Sequence, residues 1–173
     1  RKVPFTRELF IDRSDFMEEP PKKYFRMFRG NSVRLMGAYI VHCDDFKKDE
    51  NGEIEEVYCT YIENTKAGEE NADMKVKGVI QWVSAKHGVP VKFNLYDHLF
   101  LEGDAANDEN SYEKDGMLLN RRSLETVSGV VEPYCRDSEF DKFQFVRIGY
   151  FCKNTKEDST FNRVVSLKSS FKI

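Results

Sequence analysis

The sequence predicts an all-β protein with a minor helical content. Aromatic residues make up 13% of its 173 residues, and Phe, Tyr, Val and Ile, which favour strands, are frequent. Short β-rich runs recur along the chain, and turn-forming residues separate them. Several short strands of this kind, without long helical segments between them, are typical of β-barrels or β-sandwiches.

The strand-forming runs can be placed individually. They lie at residues 33–41, 55–63, 76–84, 89–100, 125–134, 143–152 and 161–170. The Asn51-Gly52 pair between the first two runs predicts a tight hairpin, because both residues tolerate the positive φ angles of such turns. The final run contains "SLKSS" (Ser166–Ser170), which we interpret as part of the last strand.

One short helix is predicted between Pro20 and Gly30. Proline suits the first turn of a helix, and glycine suits the position just after its end. On such a helix Lys22, Arg26 and Arg29 would share a face, while the phenylalanines of "KKYFRMF" would pack inward.

Two acidic, polar stretches interrupt the strand pattern. "EGDAANDENSYEKDG" (Glu102–Gly116) is expected to be a long solvated loop. "ENTKAGEENADMK", just before Val76, is the best candidate for a junction between two units.

Cations are concentrated in one part of the chain, although the formal net charge is -3. Residues 20–41 contain no carboxylate but five cations: Lys22, Lys23, Arg26, Arg29 and Arg34. Interleaved cations and aromatic rings can bind RNA, although a solvated surface over an aromatic core has the same composition. The acidic total argues against non-specific binding to long polyanions and leaves room for a local, specific RNA site.

Catalytic and metal-binding patterns are missing from the sequence. A calcium loop in "KKDENGEIEE" would need an oxygen ligand where Lys47 stands. The three histidines, His42, His87 and His98, form no metal-binding spacing, and neither a G-x-S-x-G elbow nor a glycine-rich phosphate loop occurs. We therefore predict no catalytic residue and no metal ligand.

The cysteine pattern predicts a cytoplasmic protein. Cys43, Cys59, Cys135 and Cys152 are widely spaced and form no C-x-x-C pair, which favours reduced thiols. No apolar run approaches the ~20 residues that span a bilayer, so no membrane partner is expected. Because the first residue is Arg, the sequence is expected to be a processed chain or a fragment.

Longer strings resemble a known family. "IDRSDF" (Ile11–Phe16), "VKGVIQWVSA" (Val76–Ala85) and "GYFC" (Gly149–Cys152) occur in this order within sequence similar to the C-terminal anticodon-binding region of glutaminyl-tRNA synthetases. The resemblance covers nearly the whole chain.

This resemblance implies a fold and a function. It implies two consecutive small antiparallel β-barrels, at residues 1–76 and 77–173, with the opening strands of the first lying upstream of Arg1. The chain would recognise the anticodon loop of tRNA(Gln) for a glutamine–tRNA ligase, a class I synthetase. An upstream catalytic domain would use ATP with Mg²⁺, while this fragment, a cytoplasmic monomer, would need no cofactor and would be inactive by itself.

The resemblance also implies roles for five residues. Arg26 would read the third anticodon base and Arg34 would help to read the first. Gln144 and Arg147 form the family's Q-x-x-R pair, which contacts the middle base, and Lys23 stands at a polar contact position. Because neighbouring strand residues alternate between faces, Gln144 and Arg147 can reach one base only if a bulge or a strand end intervenes near Val146.

The chain departs from some family members at two of these places. Phe25 stands where some have a lysine before the third-base arginine, and Met36 where some have a second first-base arginine. Two alternative functions remain open: the related barrels of an archaeal or eukaryotic-type glutamyl-tRNA synthetase, and a barrel that docks another protein.

Overall fold

The computed structural model describes residues 1–101 and 111–167, and within these ranges the protein consists almost entirely of β-strands. The exceptions among the described residues are a 3-10 turn, Arg13–Asp15, and one five-residue α-helix, α1 (Pro133–Asp137). The predicted all-β class is therefore confirmed. The chain divides into two compact units: Pro4–Lys86, called the N-unit, and Arg1–Val3 with the residues from His87 onward, called the C-unit.

The N-unit contains a four-stranded sheet and a two-stranded sheet. Its strands are β1 (Leu9–Ile11), β2 (Ser32–Leu35), β3 (Ile40–Lys48), β4 (Ile54–Ile62), β5 (Gly78–Ile80) and β6 (Trp82–Ser84). The larger sheet has the order β4-β3-β2-β5, in which β2 and β5 are parallel, and β1 pairs with β6. Val33, Leu35 and Ile80 lie in the core beside Phe16 and Met27.

The C-unit contains a five-stranded sheet and a separate hairpin. Its strands are β7 (Val89–Tyr96), β8 (Ser111–Lys114), β9 (Met117–Asn120), β10 (Leu124–Val131), β11 (Lys142–Phe145), β12 (Gly149–Lys153) and β13 (Thr160–Ser166). The larger sheet has the order β10-β7-β13-β12-β11, and β8 pairs with β9. In both units the described sheets are open rather than closed, so they match the predicted barrels only loosely.

Turn chemistry explains where the predicted strand runs begin and end. The hairpin predicted at Asn51-Gly52 is confirmed: it joins β3 to β4, and Gly52 has a φ of +82°. The run at 33–41 is not a single strand, because Gly37, with a φ of +68°, turns the chain between β2 and β3. The last strand ends at Ser166, and residues 168–170 of "SLKSS" lie outside the described residues.

The helix predicted between Pro20 and Gly30 is wrong. Lys23 has a φ of +72°, which no right-handed helix accommodates. Further along, the Met27 amide donates to the Asp15 carbonyl at 2.9 Å, and the Met17 amide donates to the Met27 carbonyl at 3.1 Å. This pairing with the segment after the 3-10 turn replaces helical hydrogen bonds, so the predicted shared helix face of Lys22, Arg26 and Arg29 does not exist.

The compact units divide after Lys86, and the domain boundary between residues 76 and 77 stays a prediction. The reason for the division after Lys86 is strand pairing: β5 lies beside β2, and β6 lies beside β1, so both join the N-unit. The acidic stretch before Val76 is a series of turns within that unit.

The predicted loop Glu102–Gly116 is only partly described. Residues 102–110 lie outside the described residues, and from Ser111 the chain forms the β8–β9 hairpin rather than a loop. Asp115 and Gly116 both adopt positive φ at its turn. No helix in the described ranges is long and apolar enough to cross a membrane.

All four cysteines carry free thiols. Cys43 and Cys59 are register partners on β3 and β4, and the interaction between their neighbouring thiols lowers the pKa of Cys43 and raises that of Cys59. Burial raises the pKa of Cys135 to about 11, so this thiol stays protonated at neutral pH.

Candidate nucleic-acid interface

Arg26 is held in place by a buried carboxylate. Its Nη1 lies 3.3 Å from Oδ1 of Asp15, a residue with no solvent exposure. The same nitrogen donates to the Ser14 carbonyl at 3.0 Å and to the Ser14 hydroxyl at 2.9 Å. These contacts occupy one end of the guanidinium, whose side chain remains 34% exposed. The geometry therefore orients a planar set of donors at the surface.

The backbone around Arg26 is fixed by side-chain hydrogen bonds. Asn31 donates from Nδ2 to the Arg26 carbonyl at 2.7 Å and accepts the Phe28 amide at 2.9 Å. The Tyr24 hydroxyl donates to the Ser14 carbonyl at 3.0 Å. The segment is thus ordered although it is not helical.

Two further residues of this segment are exposed. Lys23 projects from a left-handed turn position, and the Phe25 side chain is 52% exposed with the Lys77 ammonium 5.9 Å from its ring centre. Arg29 is also exposed, at 63%, and forms a surface ion pair with Asp45 at 3.4 Å. The basic stretch therefore presents Lys22, Lys23, Arg29 and part of Arg26 together with an aromatic ring.

Arg34, on β2, is held by backbone carbonyls. Its guanidinium donates to the carbonyls of Thr65, Ala72 and Met74, the last at 2.9 Å. These contacts use three of its five N–H donors. Arg34 thereby holds the turn-rich stretch of residues 65–74 against β2.

Gln144 and Arg147 lie on either side of a strand end. Strand β11 ends at Phe145, and residues 146–148 form a turn in which Arg147 has a φ of +70°. The Ile148 amide closes this turn by donating to the Phe145 carbonyl at 2.9 Å. Both side chains are exposed. Because the strand ends between them, their side chains do not have to point to opposite faces of the sheet. This is the condition that must hold if both are to contact the same base.

The structure places the five predicted site residues in two groups. Lys23, Arg26 and Arg34 belong to the N-unit, whereas Gln144 and Arg147 belong to the C-unit. Within the described ranges, no group of three or more His, Cys, Asp or Glu residues could hold a metal ion.

Sequence reasoning missed two residues that support Arg26. Asp15 was noted only as part of "IDRSDF", yet it is the buried partner of Arg26. Gly78 lies against the same segment, because a Cβ there would be 2.3 Å from the Phe25 carbonyl oxygen. A glycine inside an apolar strand pattern is a signal of close backbone approach, and it could have identified Gly78.

Comparison with protein-family models decides the family. Two models match, both described as "tRNA synthetases class I (E and Q), anti-codon binding domain", one at residues 1–62 and the other at residues 79–154. The chain belongs to this family. The second match begins within β5, so β5 and β6 belong to the second family domain by sequence but to the N-unit by packing.

Curated relatives are consistent with this family. The chain is 47% identical to the glutamine–tRNA ligase of Clostridium perfringens over 100% of its own length. It is 49% identical to that of Clostridioides difficile and 47% identical to that of Bordetella avium, each over 99% of its own length. These matches cover 32%, 32% and 30% of the relatives, so the chain spans about a third of their length.

Proposed function

We propose that this chain reads the anticodon loop of a glutamine tRNA as the anticodon-binding part of a glutamine–tRNA ligase. The observation that carries the proposal is the strand end between Gln144 and Arg147, in a chain that belongs to an anticodon-binding family. There an exposed amide and an exposed guanidinium can approach one base.

The proposed contacts follow the chemistry of each side chain. Gln144 offers a donor and an acceptor to the edge of the middle base, a uracil, and Arg147 adds a planar set of donors. Arg26 reads the third base with the part of its guanidinium that Asp15 and Ser14 leave exposed. Arg34 contributes to the first base with its remaining donors, and Lys23 adds a polar contact.

The larger protein supplies the chemistry. We place ATP and Mg²⁺ in a separate, upstream catalytic domain. The chain described here binds no cofactor and is inactive alone. Residues 1–76 form the first anticodon-binding domain and residues 77–173 the second, and the protein acts as a cytoplasmic monomer. The family description covers both E and Q synthetases, and the names of the relatives favour glutamine over glutamate.

Replacing Arg26 tests the third-base contact. We expect Arg26→Ala to weaken binding of the cognate anticodon stem-loop by about 1–3 kcal/mol, the scale of a bidentate base contact. It also leaves Asp15 buried without its cation, which should lower the free energy of unfolding by about 2 kcal/mol. Fluorescence titration and urea unfolding measure the two effects separately.

The control for this experiment is Arg26→Lys. Lysine keeps the charge near Asp15 but lacks the planar fork, so stability should largely recover while binding stays weak. An Arg26→Ala protein that binds the loop as tightly as the wild type would exclude the third-base role.

Replacing Gln144 tests the middle-base contact. Gln144→Met keeps the length and the neutral charge of the side chain but loses the amide donor and acceptor, so we expect cognate binding to weaken by about 1–2 kcal/mol. Binding to a loop with a changed middle base should alter much less, because that loop already lacks the matching edge. If both loops lose affinity equally, Gln144 does not read the middle base.

A further inference from the structure

The outer face of the five-stranded sheet carries a tyrosine directly opposite Gln144. In the antiparallel pair β11–β12, Gln144 is the register partner of Tyr150. Both residues are exposed, whereas Phe145 and Phe151, the next residues on each strand, contribute to the core. The period-two alternation of strands therefore puts Gln144 and Tyr150 on the same face. Directly opposed residues of such a pair have Cβ atoms only about 5 Å apart.

The Tyr150 side chain is available to a ligand. It is 43% exposed, although it lies on β12, an inner strand of the sheet. Among the described residues its ring packs against no other aromatic ring and its hydroxyl has no hydrogen-bond partner. The exposed Tyr96 differs, because its hydroxyl donates to Asn162 at 3.3 Å.

The backbone that presents Tyr150 is rigid. Its strand pairs with β11 on one side and with β13 on the other, where Val165 is the register partner of Tyr150. The preceding Gly149 packs so tightly that a Cβ would lie 2.6 Å from the Val165 carbonyl oxygen. The register then shifts after Tyr150, where β13 accommodates an extra residue. Such bulges reorient side chains and often adjoin functional sites.

The surroundings of Tyr150 suit a nucleotide better than an apolar partner. Lys142 lies two residues before Gln144 and so shares its face of β11, and Arg147 occupies the adjoining turn. An aromatic ring beside an amide and two cations is the combination that single-stranded RNA sites use, since cations meet phosphates while rings stack on bases.

We infer that Tyr150 is the stacking platform for the middle anticodon base, whose edge Gln144 contacts. The inference rests on the proposed function and adds to it a specificity-determining residue that supplies affinity through its ring. Stacking on an aromatic ring accepts any base, whereas the amide of Gln144 selects among bases. Tyr150 therefore supplies affinity and Gln144 supplies selectivity.

The test uses the whole 173-residue chain and two RNAs. One is the anticodon stem-loop of glutamine tRNA, and the other is the same stem-loop with an abasic middle position. The proteins are the wild type, Tyr150→Phe, Tyr150→Leu, Tyr150→Ala and the control Tyr58→Ala, which removes a similarly exposed tyrosine (46%) from the N-unit. Dissociation constants are measured by fluorescence anisotropy, and circular dichroism checks the fold.

We expect Tyr150→Ala and Tyr150→Leu to weaken binding of the intact loop roughly 5- to 100-fold. Tyr150→Phe, which keeps the ring, should stay within about 2-fold of the wild type, as should Tyr58→Ala. On the abasic loop all five proteins should bind alike, because the base that Tyr150 supports is gone.

Two results would overturn the platform while leaving the proposed function intact: wild-type affinity of Tyr150→Ala for the intact loop, or an equal loss on both loops. A wild-type chain that binds intact and abasic loops equally would instead overturn the proposed function, and the platform with it.

Discussion

Replacing Gly78 with alanine is expected to disrupt the N-unit. A Cβ at this position would lie 2.3 Å from the Phe25 carbonyl oxygen and 2.9 Å from Cγ1 of Val33. The first of these atoms is backbone and the second belongs to a fully buried residue, so neither can move away without a large cost in free energy. We expect the free energy of unfolding to fall by about 3 kcal/mol. Trp82, the only tryptophan in the chain, lies in this unit and reports its unfolding in urea by fluorescence.

The neighbouring substitution Val79→Ala is the matched control. Val79 lies on the same strand but is 46% exposed, so its replacement should lower the free energy of unfolding by less than about 1 kcal/mol. Because Gly78 supports the segment that carries Arg26, the Gly78→Ala protein should also bind the anticodon loop more weakly. Wild-type stability of Gly78→Ala would show that the Phe25 segment does not pack closely on β5.

The second large effect is expected from Phe161→Ala in the C-unit. Phe161 is 2% exposed, and its ring centre lies 5.8 Å from those of Phe93 and Phe143 and 5.9 Å from that of Phe145. Truncation removes a large buried ring and leaves a cavity among rigid neighbours. We expect a loss of about 3–5 kcal/mol in the free energy of unfolding.

Hydrogen exchange of the amides of β12 and β13 measures this loss. The control is Phe140→Ala, which removes a ring that is 65% exposed and should leave exchange nearly unchanged. If these amides exchanged as slowly in the Phe161→Ala protein as in the wild type, the aromatic cluster would not be the centre of the C-unit core.

Much of the fold could be predicted because its signals are local. β-Branched and aromatic runs marked most strands, and Asn51-Gly52 marked a hairpin turn. The predicted helix failed because the prolines and Gly30 resemble helix ends, while the pairing of Met27 with the segment around Asp15 and Phe16 is a tertiary contact. No local pattern records such a contact.

The candidate site was predictable only as a set of residues. Sequence similarity marked Arg26 and Arg34, but it did not show that a buried carboxylate holds one and that loop carbonyls hold the other. The carbonyls that bind Arg34 are more than 30 residues away in sequence. The carboxylate that binds Arg26 belongs to Asp15, in the 3-10 turn. The strand end after Phe145, in contrast, was anticipated as a requirement, because alternation alone would have separated Gln144 from Arg147.

The most direct test of anticodon reading is a titration of this chain with a labelled anticodon stem-loop of glutamine tRNA at two salt concentrations. A parallel stem-loop carries a changed middle base. We predict tighter binding to the cognate loop, weakening with salt at a log–log slope of about -0.7 for each neutralised phosphate. Equal binding to the two loops, or binding that ignores salt, would contradict anticodon reading by this chain.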